Sequence, residues 1–494
     1  MLEGSGWQED CAAIFECSAG CKLVMKNKAR EHIAHRHHRD AVSEHLERLG
    51  DTTNPSRRQA AVALGKLGDS RAVAPMVELL RSETDASIRA SLILALGAIG
   101  GEAVAERLGE ITPQSPKEAD ALAKARDRIL STPLAFEWQP ELALDDLRIE
   151  VVEGLERPVS RMLLKEGFPE TTVERPGLLR FSAPVAAERV TPPPRYAYGV
   201  RLLISEAKAT DDLEAVADAL LTTAGDRPYW NTHCPRPDGT PARYRFGIEG
   251  RNLQRDLHQK LLRKIRTSLE PLGAIDSPSH YMFEIILNFS DDKARLYFRP
   301  STFKDPRFAY RLRDVAASMN PVVAATLSRL IPVPLPGAII DPTCGSGTLL
   351  FERGFLSPDS PLIGIDVSPE ALQSAQQNAV ASDVAGRTEL RNANARDSKA
   401  WSACSVVIAN LPFGLRSGRD DPDLEGTYRA ILANAAKTLS GNGRVLLASA
   451  NRGLFERAIT GDAAFRVLAK YRLQSGGLFV HIAILGRKED RPSS

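Results

Sequence analysis

Apolar residues in the first third of the chain recur with the spacing of α-helices, and part of this pattern repeats. The segment Ala63-Leu-Gly-Lys-Leu-Gly68 reappears as Ala95-Leu-Gly-Ala-Ile-Gly100, and Arg57 has a counterpart in Arg89. Helical units that repeat along a chain bury their apolar faces against one another. The pattern therefore predicts a small helical solenoid over residues 46–130.

The middle of the chain changes to short strands that alternate with helices. Apolar and polar positions alternate in several segments, as in strands with one buried face. One helix, predicted over 252–269, is strongly basic. The predicted strands are Ile149–Val152, Leu178–Ser182, Tyr198–Ile204, Phe283–Phe289 and Arg295–Arg299, of which the last two form a hairpin. This pattern predicts an α+β region over 145–304.

From residue 305 onward, continuous apolar strands alternate with helices. Strands of this kind are buried on both faces, which predicts a largely parallel sheet with helices on each side. The predicted strands are Ala338–Asp341, Leu362–Asp366, Thr388–Arg391, Ser405–Ala409, Arg444–Ala448 and Leu478–Leu485. The sequence thus predicts a multidomain chain: a Cys/His-rich segment over 1–45, helical repeats over 46–130, the α+β region over 145–304 and an α/β domain over 305–490.

Composition and charge restrict the class of protein and its expected cellular location, but they do not identify an activity. The 494 residues are 43% hydrophobic and 26% charged, as in globular proteins, and the net charge is only +2. Any basic surface that binds nucleic acid must therefore be confined to one part of the protein. No apolar run approaches the ~20 residues of a membrane span, the first residues lack a secretory signal, and six unevenly spread cysteines do not resemble a disulfide framework. We expect a cytoplasmic protein that does not associate with membranes.

Cysteines and histidines cluster near the start of the chain. Their spacing loosely resembles a C2H2 zinc finger, with His35 and His38 as alternatives for the last ligand. The candidate zinc ligands are Cys17, Cys21, His32 and His37. A competing interpretation takes Met25 as the real start of the protein, which would remove the cysteines.

A glycine-rich loop, Asp341-Pro-Thr-Cys-Gly-Ser-Gly-Thr348, follows the first strand of the α/β domain. Gly345 and Gly347 let the backbone approach a ligand closely, and loops at the carboxyl edge of such sheets bind ligands. A second acid, Asp366, ends the next strand at the spacing typical of nucleotide-binding folds, where a carboxylate binds ribose hydroxyls. A dehydrogenase would require a G-x-G-x-x-G loop, which is missing here.

A second motif, Asn410-Leu-Pro-Phe-Gly414, follows the fourth predicted strand of this domain. The side-chain oxygen of Asn410 and a carbonyl of Leu411 or Pro412 can accept the hydrogens of an exocyclic amine and direct its nitrogen lone pair at an electrophile, so that positioning supplies most of the rate. Pro412 stiffens the turn, and Phe413 offers a face to a flipped base. Covalent attack on a pyrimidine ring carbon would need a cysteine nucleophile, which the motif lacks.

The two motifs resemble motifs I and IV of class I S-adenosylmethionine-dependent methyltransferases, in the forms typical of enzymes that methylate base amines. The resemblance implies a Rossmann-like domain with S-adenosylmethionine as cofactor. The implied catalytic residues are Asn410, Leu411, Pro412 and Phe413. The implied cofactor-binding residues are Asp341, Thr343, Cys344, Gly345, Ser346, Gly347, Thr348, Asp366, Asn394 and Asn320.

Within this resemblance the acids and the two asparagines have different implied roles. Asp341 and the loop glycines would hold the methionine part of the cofactor, and Asp366 its ribose. Asn394 stands where the family has an aspartate that accepts from the adenine amino group, and an amide oxygen can still accept. Asn320, followed by Pro321, is also predicted to cap a helix that packs over the cofactor in the family.

The two preceding regions resemble other known modules. The helical repeats resemble HEAT repeats, which implies a docking site for a protein partner or a cover for an RNA-binding domain. Residues 145–311 resemble the ferredoxin-like segment and THUMP domain of RNA-modifying enzymes, which implies binding of RNA and above all of tRNA. A basic cluster in this region suits phosphate contacts. Its members are Arg243, Arg245, Arg251, Arg255, Lys260, Arg263, Lys264 and Arg266.

Together the resemblances predict an enzyme that methylates the exocyclic N2 of a guanosine in tRNA. The nearest rivals are N6-adenine methylation and guanine-N2 methylation of ribosomal RNA. A protein of another class, a catalytically inert RNA-binding scaffold, is a further alternative. The complete glycine-rich loop and the Asn-Leu-Pro-Phe-Gly motif argue against the scaffold.

Overall fold

The computed structural model describes residues 42–100, 102–130, 142–225, 242–251, 254–277, 281–301, 306–315, 318–333, 335–414, 423–460 and 462–488. By its internal contacts the chain divides into two units, residues 1–132 and 133–494. The predicted zinc ligands lie outside the described residues. None of the helices in the described ranges is long and apolar enough to cross a membrane.

Between residues 54 and 130, the described helices pack around α3, which contacts each of the others. Their bounds are Asn54–Leu67 (α1), Val73–Ser82 (α2), Ala86–Ile99 (α3), Glu102–Glu110 (α4) and Pro116–Leu130 (α5). α3 begins after Asp85, whose carboxylate accepts hydrogen bonds from the backbone N–H groups of Ser87 and Ile88. Leu92 and Leu96 of α3 are fully buried. This unit agrees with the predicted helical solenoid.

The repeat in the sequence corresponds to a repeated close contact between helices. A β-carbon at Gly65 would lie 2.8 Å from a Cα of α3, and one at Gly97 would lie 2.7 Å from a Cα of α5. Because those neighbours are backbone atoms, a larger residue would push the helices apart. Gly68 and Gly100, which end the two copies, have φ of +67° and +70°, a conformation that glycine adopts without strain.

The repeated arginine forms an ion pair in each copy. Arg57 Nε lies 3.0 Å from a carboxylate oxygen of Glu83, and Arg89 Nε lies 3.1 Å from one of Glu118. The second pair is the more deeply buried, with side chains 5% and 1% exposed. Arg89 also donates to the Glu83 carbonyl at 3.1 Å, so it links the loop after one helix pair to the next.

Within the described residues, the second unit begins with an eight-stranded sheet in the order β3-β4-β2-β6-β10-β9-β7-β8, and β1 and β5 pair separately. The strands are Ala143–Leu144 (β1), Leu147–Val151 (β2), Thr171–Arg175 (β3), Leu178–Phe181 (β4), Val185–Ala186 (β5), Ala197–Lys208 (β6), Ala242–Glu249 (β7), Ala274–Asp276 (β8), Phe283–Ser290 (β9) and Lys293–Pro300 (β10). The helices are Glu156–Lys165 (α6), Leu213–Gly225 (α7) and Arg255–Leu269 (α8). The predicted α+β region is therefore present, with the predicted hairpin as β9 and β10.

One face of this sheet carries arginines that are paired with glutamates. Arg201 donates to the two carboxylate oxygens of Glu249 at 2.7 and 3.0 Å and also contacts Glu150. Arg148, on the neighbouring strand, donates to Glu174 at 2.8 Å. Buried charges are tolerated only with such partners. The pairs therefore hold neighbouring strands together and leave little free charge at the centre of this face.

The carboxy-terminal sheet has the order β13-β12-β11-β14-β15-β17-β16 among the described residues. Its strands are Ile339–Asp341 (β11), Leu362–Asp366 (β12), Thr388–Asn392 (β13), Cys404–Asn410 (β14), Leu439–Ser449 (β15), Phe465–Ser475 (β16) and Leu478–Arg487 (β17). Its helices are Pro321–Leu330 (α9), Thr348–Gly354 (α10), Pro369–Ala381 (α11), Leu424–Thr438 (α12) and Arg452–Ile459 (α13). Strands β11 to β15 are parallel, whereas β16 and β17 are antiparallel. This agrees with the predicted, largely parallel sheet.

Buried polar contacts join the two sheets of the second unit. Glu352, on α10, is fully buried and accepts hydrogen bonds from Arg195 at 2.6 and 3.0 Å and from the Tyr310 hydroxyl at 2.9 Å. Arg307 donates to three carbonyls of residues 193–197 at 2.6 to 3.0 Å. The α+β region is thus packed directly against the helix that follows the glycine-rich loop.

Glu118→Ala is expected to destabilise the first unit by roughly 3 kcal/mol, because it leaves the buried Arg89 without its carboxylate partner. Scanning calorimetry should show the unfolding transition of this unit at a lower temperature. The matched control is Glu110→Ala, which breaks the exposed Arg107–Glu110 pair and should leave the transition almost unchanged. Equal shifts for both variants would contradict the assigned role of the buried pair.

Candidate functional site

Three polar residues, Asp341, Asp366 and Asn410, end three neighbouring strands. β11 lies between β12 and β14, and all three run parallel, so their carboxyl ends meet at one edge of the sheet. Thr343 connects two of the strand ends, because its hydroxyl donates to the backbone carbonyl of Asn410 at 3.2 Å. The structure therefore brings together the glycine-rich loop and the Asn-Leu-Pro-Phe-Gly motif.

The glycine-rich loop turns tightly before α10. Gly345 and Gly347 have φ of +54° and +82°, and a β-carbon at Gly347 would lie 2.4 Å from the ring of Phe351. The backbone N–H of Cys344 donates to the carbonyl of Ile365 at 3.0 Å, which fixes the loop to β12. A side chain at Gly347 would thus be strained by conformation and by space.

The carboxylate of Asp366 is held by two backbone groups. One oxygen accepts from the Gly345 N–H at 2.9 Å, and the other accepts from the Ser368 N–H at 2.9 Å. Each carboxylate oxygen has a second lone pair, so an oriented acceptor is still available to a ligand. Beside it, the side chain of Val367 is 65% exposed and adds an apolar surface at the same edge.

Asp341 is almost completely buried. It is 1% exposed, and its carboxyl oxygen accepts from the Thr343 N–H at 3.0 Å. Burial raises the pKa of Asp341 to about 8, and the negative charge of Asp366 contributes in the same direction. Near neutral pH the Asp341 carboxyl group is therefore largely protonated, which lowers the cost of burying it.

The Asn-Leu-Pro-Phe-Gly motif is anchored on both sides. Leu411 is buried, and its N–H donates to the carbonyl of Ala448 on β15 at 2.8 Å. The carbonyl of Pro412 accepts from the Tyr428 hydroxyl at 2.6 Å. One lone pair of the Pro412 carbonyl is therefore already occupied. Of the two carbonyls predicted to accept an amine hydrogen, that of Leu411 is the better candidate. Phe413 is half-buried.

Tyr428 and Ser449 are functional candidates that the sequence reasoning missed. The Tyr428 hydroxyl on α12 lies 2.8 Å from the Ser449 hydroxyl, which in turn accepts from the Asn451 N–H at 3.0 Å. A chain of hydrogen bonds thus runs from the end of β15 to the Pro412 carbonyl. No local signal in the sequence could indicate it, because its members are distant along the chain.

The two described cysteines at this end of the protein are buried thiols. Burial raises the pKa of Cys344 well above its ordinary value and raises the pKa of Cys404 to about 11. Both thiols are therefore protonated near neutral pH. Neither supplies the thiolate that attack on a pyrimidine ring requires, which agrees with the sequence-based argument against methylation of a ring carbon.

The two asparagines of the predicted cofactor site use their side-chain oxygens locally. Asn394 is exposed after β13, and its oxygen accepts from the Arg396 N–H at 2.9 Å. Asn320 accepts from the N–H groups of Val322 and Val323 at 2.9 and 3.4 Å, so the predicted helix cap is confirmed. The side-chain oxygen of each asparagine therefore already accepts at least one hydrogen bond from the protein backbone.

Ser346 and Thr348 of the loop point into the protein. They are 2% and 3% exposed, and the Ser346 hydroxyl lies 2.8 Å from that of Ser318. Sequence reasoning also missed Asn378, which is fully buried on α11 and donates to the carbonyls of Ser346 and Arg313 at 3.0 and 2.8 Å. Asn378 thus fixes the glycine-rich loop from behind.

Comparison with known proteins relates this geometry to an enzyme family. Residues 309–481 match the family model described as RMKL-like, methyltransferase domain, and residues 25–97 match HEAT repeats. The carboxy-terminal domain has the class I methyltransferase fold. TrmN from Thermus thermophilus has a similar structure, with a TM-score of 0.54 and 23% sequence identity over 69% of this chain and 99% of that one. The predicted fold classes are therefore confirmed.

Curated relatives are similar in sequence over part of the chain. A tRNA (guanine(6)-N2)-methyltransferase of Thermus thermophilus is 31% identical over 38% of this chain and 54% of its own length. The enzyme of the same name from Methanocaldococcus jannaschii is 23% identical over 36% of this chain and 56% of its own length. The chain thus spans about half the length of these relatives, and the predicted resemblance to tRNA guanine-N2-methyltransferases is confirmed.

Asp341→Asn is expected to flatten the pH dependence of stability. The pKa of Asp341 is about 8 in the folded protein, against an ordinary value of 3.8, so folding takes up a proton between these values. The contribution of Asp341 to the free energy of unfolding is therefore largest at low pH. It declines as the pH rises through this range and levels off above about 8. Urea unfolding across the range should show a shallower decline for the variant.

The control for this measurement is Asp359→Asn, which changes an exposed aspartate in the loop before β12. It should retain the slope of the unmodified protein. If Asp341→Asn retains that slope as well, Asp341 does not take up the proton on folding.

Proposed function

We propose that this protein transfers a methyl group from S-adenosylmethionine to the exocyclic N2 of a guanosine in tRNA. The observation that carries the proposal is the meeting of Asp341, Asp366 and Asn410 at one sheet edge, where the Thr343 hydroxyl joins the glycine-rich loop to the Asn410 backbone at 3.2 Å. A methyl donor held by the loop would thus lie next to groups that can hold an amine.

The residues at the edge fit S-adenosylmethionine. Asp366 offers an oriented carboxylate to the ribose hydroxyls, and the exposed apolar side chain of Val367 lies where an adenine ring can pack. Gly345 and Gly347 keep the loop open to the methionine part. The side-chain oxygen of Asn394 would accept a hydrogen bond from the adenine amino group with its remaining lone pair. The bound cofactor supplies the electrophilic methyl group.

The chain itself orients the acceptor amine. The side-chain oxygen of Asn410 and the Leu411 carbonyl accept the two amine hydrogens, which directs the nitrogen lone pair at the methyl group. Tyr428 holds the turn through the Pro412 carbonyl, and the half-buried Phe413 offers a stacking face to the base. No strong base is needed, because the amine proton becomes acidic as the C–N bond forms.

The choice of guanosine in tRNA rests on the relatives, whose names specify N2 of a tRNA guanine. The basic helix α8 contributes less than its composition suggests. Lys264 and Arg266 donate to Asp218 and Asp276 at 2.6 Å, and Lys260 lies 3.3 Å from a carboxylate oxygen of Glu214. Arg243 on β7 and Arg263 on α8 are exposed cations that would contact phosphates.

If the substrate is tRNA, we expect the protein to act in the cytoplasm. The HEAT-like unit would then serve as a docking site for a protein partner.

Nucleoside mass spectrometry of total tRNA from a deletion strain tests the proposal. We expect N2-methylguanosine to fall and to return when the gene is restored. Loss of N6-methyladenosine instead, or loss of N2-methylguanosine from ribosomal RNA alone, would support a rival enzyme. If no methylated nucleoside changes in any RNA, the protein is not a methyltransferase of these classes, which favours an RNA-binding scaffold.

Asn410→Ala should lower the rate of methyl transfer about a hundred- to a thousandfold, because it removes a group that acts on the reacting amine. Affinity for S-adenosylmethionine, measured by calorimetry, should stay within about twofold. Asn442→Ala is the control, since Asn442 is exposed at the opposite end of β15. Turnover that persists in the Asn410 variant would remove the role assigned to this side chain.

Tyr428→Phe should lower kcat about tenfold while cofactor affinity is unchanged, because the turn loses the hydrogen bond to the Pro412 carbonyl. The folded structure should survive, since the ring still fills its buried site. Single-turnover methylation of tRNA checks the rate, and an unaltered rate would mean that the turn is held well enough by its other contacts.

A further inference from the structure

The tip of the β16–β17 hairpin extends past the sheet edge that carries the candidate site. Asn410 on β14 pairs with Ala448 on β15, and the next residue of β15, Ser449, pairs with His481 on β17. The hairpin continues from His481 to its turn at residues 476–477. It therefore projects on the side of the sheet where Asn410 and the following motif lie.

One face of the hairpin tip is fixed to the α+β region. Leu473 is 1% exposed and belongs to the same apolar core as the eight-stranded sheet. A β-carbon at Gly154 would lie 2.1 Å from the Arg472 carbonyl oxygen, and the Gln474 N–H donates to the Glu153 carbonyl at 3.4 Å. The tip is thus held at the junction between the region expected to bind RNA and the site expected to methylate it.

The opposite face of the tip presents an aromatic ring and positive charge to solvent. Phe479 pairs with Gln474, and Arg472 with His481, so these four side chains share a face. Phe479 is 52% exposed, and the Arg472 guanidinium lies 4.7 Å from its ring centroid.

A second arginine reaches the same place from α13. α13 packs on β17 beside the tip, where the ring centroids of Phe455 and His481 lie 6.5 Å apart. Desolvation has the larger effect in lowering the pKa of His481, and the charges of Arg452 and Arg472 both lower it further. Arg452 is exposed at the first position of α13, and the nearby Glu456 is engaged by Lys470 at 2.6 Å. Positive charge is therefore left beside Phe479.

An exposed aromatic face flanked by guanidinium groups suits a single-stranded nucleotide. Bases stack on such rings whatever their identity, and arginines bind the phosphates between them. A base that is methylated on its exocyclic amine must leave its stack, which breaks its contacts with the neighbouring nucleotides. A surface that binds a neighbour next to the site would offset this loss.

We propose that the face formed by Phe479, Arg472 and Arg452 binds the nucleotide adjacent to the methylated one, with its base on the Phe479 ring and its phosphate at the arginines. The inference rests on the proposed function, because it assumes an RNA substrate at the Asn410 edge. It assigns the hairpin tip as a substrate-binding element of the same site.

Phe479→Ala tests the stacking contact. We expect it to raise both the KM for unmodified tRNA transcripts and their Kd, measured by fluorescence anisotropy, about tenfold, whereas Phe479→Trp retains near-normal values. Affinity for S-adenosylmethionine should not change. The matched control is Val467→Ala, which removes another exposed apolar side chain from the same hairpin, at the far end of β16, where it pairs with Leu485 of β17. Arg472→Gln should weaken binding and reduce the slope of log Kd against log salt by about one.

The outcomes separate the inference from the proposed function. If the unmodified protein methylates a tRNA guanine and Phe479→Ala behaves like Val467→Ala, the inference is wrong and the function stands. If the unmodified protein binds tRNA without methylating guanine, the proposed function fails, and the anisotropy measurement still decides the role of Phe479. If it binds no tRNA, both are wrong.

Discussion

The parallel pairing of β11 with β12 and β14 is the constraint on which the candidate site depends. It carries Asp341, Asp366 and Asn410 to one edge, although Asp341 and Asn410 are distant along the chain. A slip of one residue in either pairing would turn every side chain of that strand to the other face of the sheet. Alternate residues of β11 and β14 pack in apolar cores on the two faces of the sheet, so packing on both sides holds these strands and the residues that end them.

Burial at this edge has an electrostatic consequence. Desolvation by burial raises the pKa of Asp341 to about 8, and the nearby Asp366 adds to this shift. Asp366 is only partly buried, and its carboxylate accepts hydrogen bonds from two backbone N–H groups. The sequence shows two acids at the ends of two strands. Only the fold distinguishes the buried carboxyl group from the partly exposed acceptor.

The features that sequence predicted well are local. The glycine-rich loop, the strand ends and the Asn320 cap each depend on residues within a few positions, so their residue types indicate the conformation directly. The features that it missed are contacts between distant segments. Asn378 behind the loop and Tyr428 behind the motif are ordinary helix residues until the fold brings a carbonyl to each.

The basic helix shows how the same limit affects a functional prediction. Lys260, Lys264 and Arg266 form a cationic run in the sequence, and the carboxylates that pair with them come from α7 and β8. Pairing with protein carboxylates makes these cations poorer phosphate ligands, because binding RNA would first break an existing ion pair. RNA recognition would then depend on a smaller number of well-placed groups, in keeping with a net charge of only +2. Shape and stacking near the Asn410 edge would therefore contribute more to substrate binding than long-range attraction does.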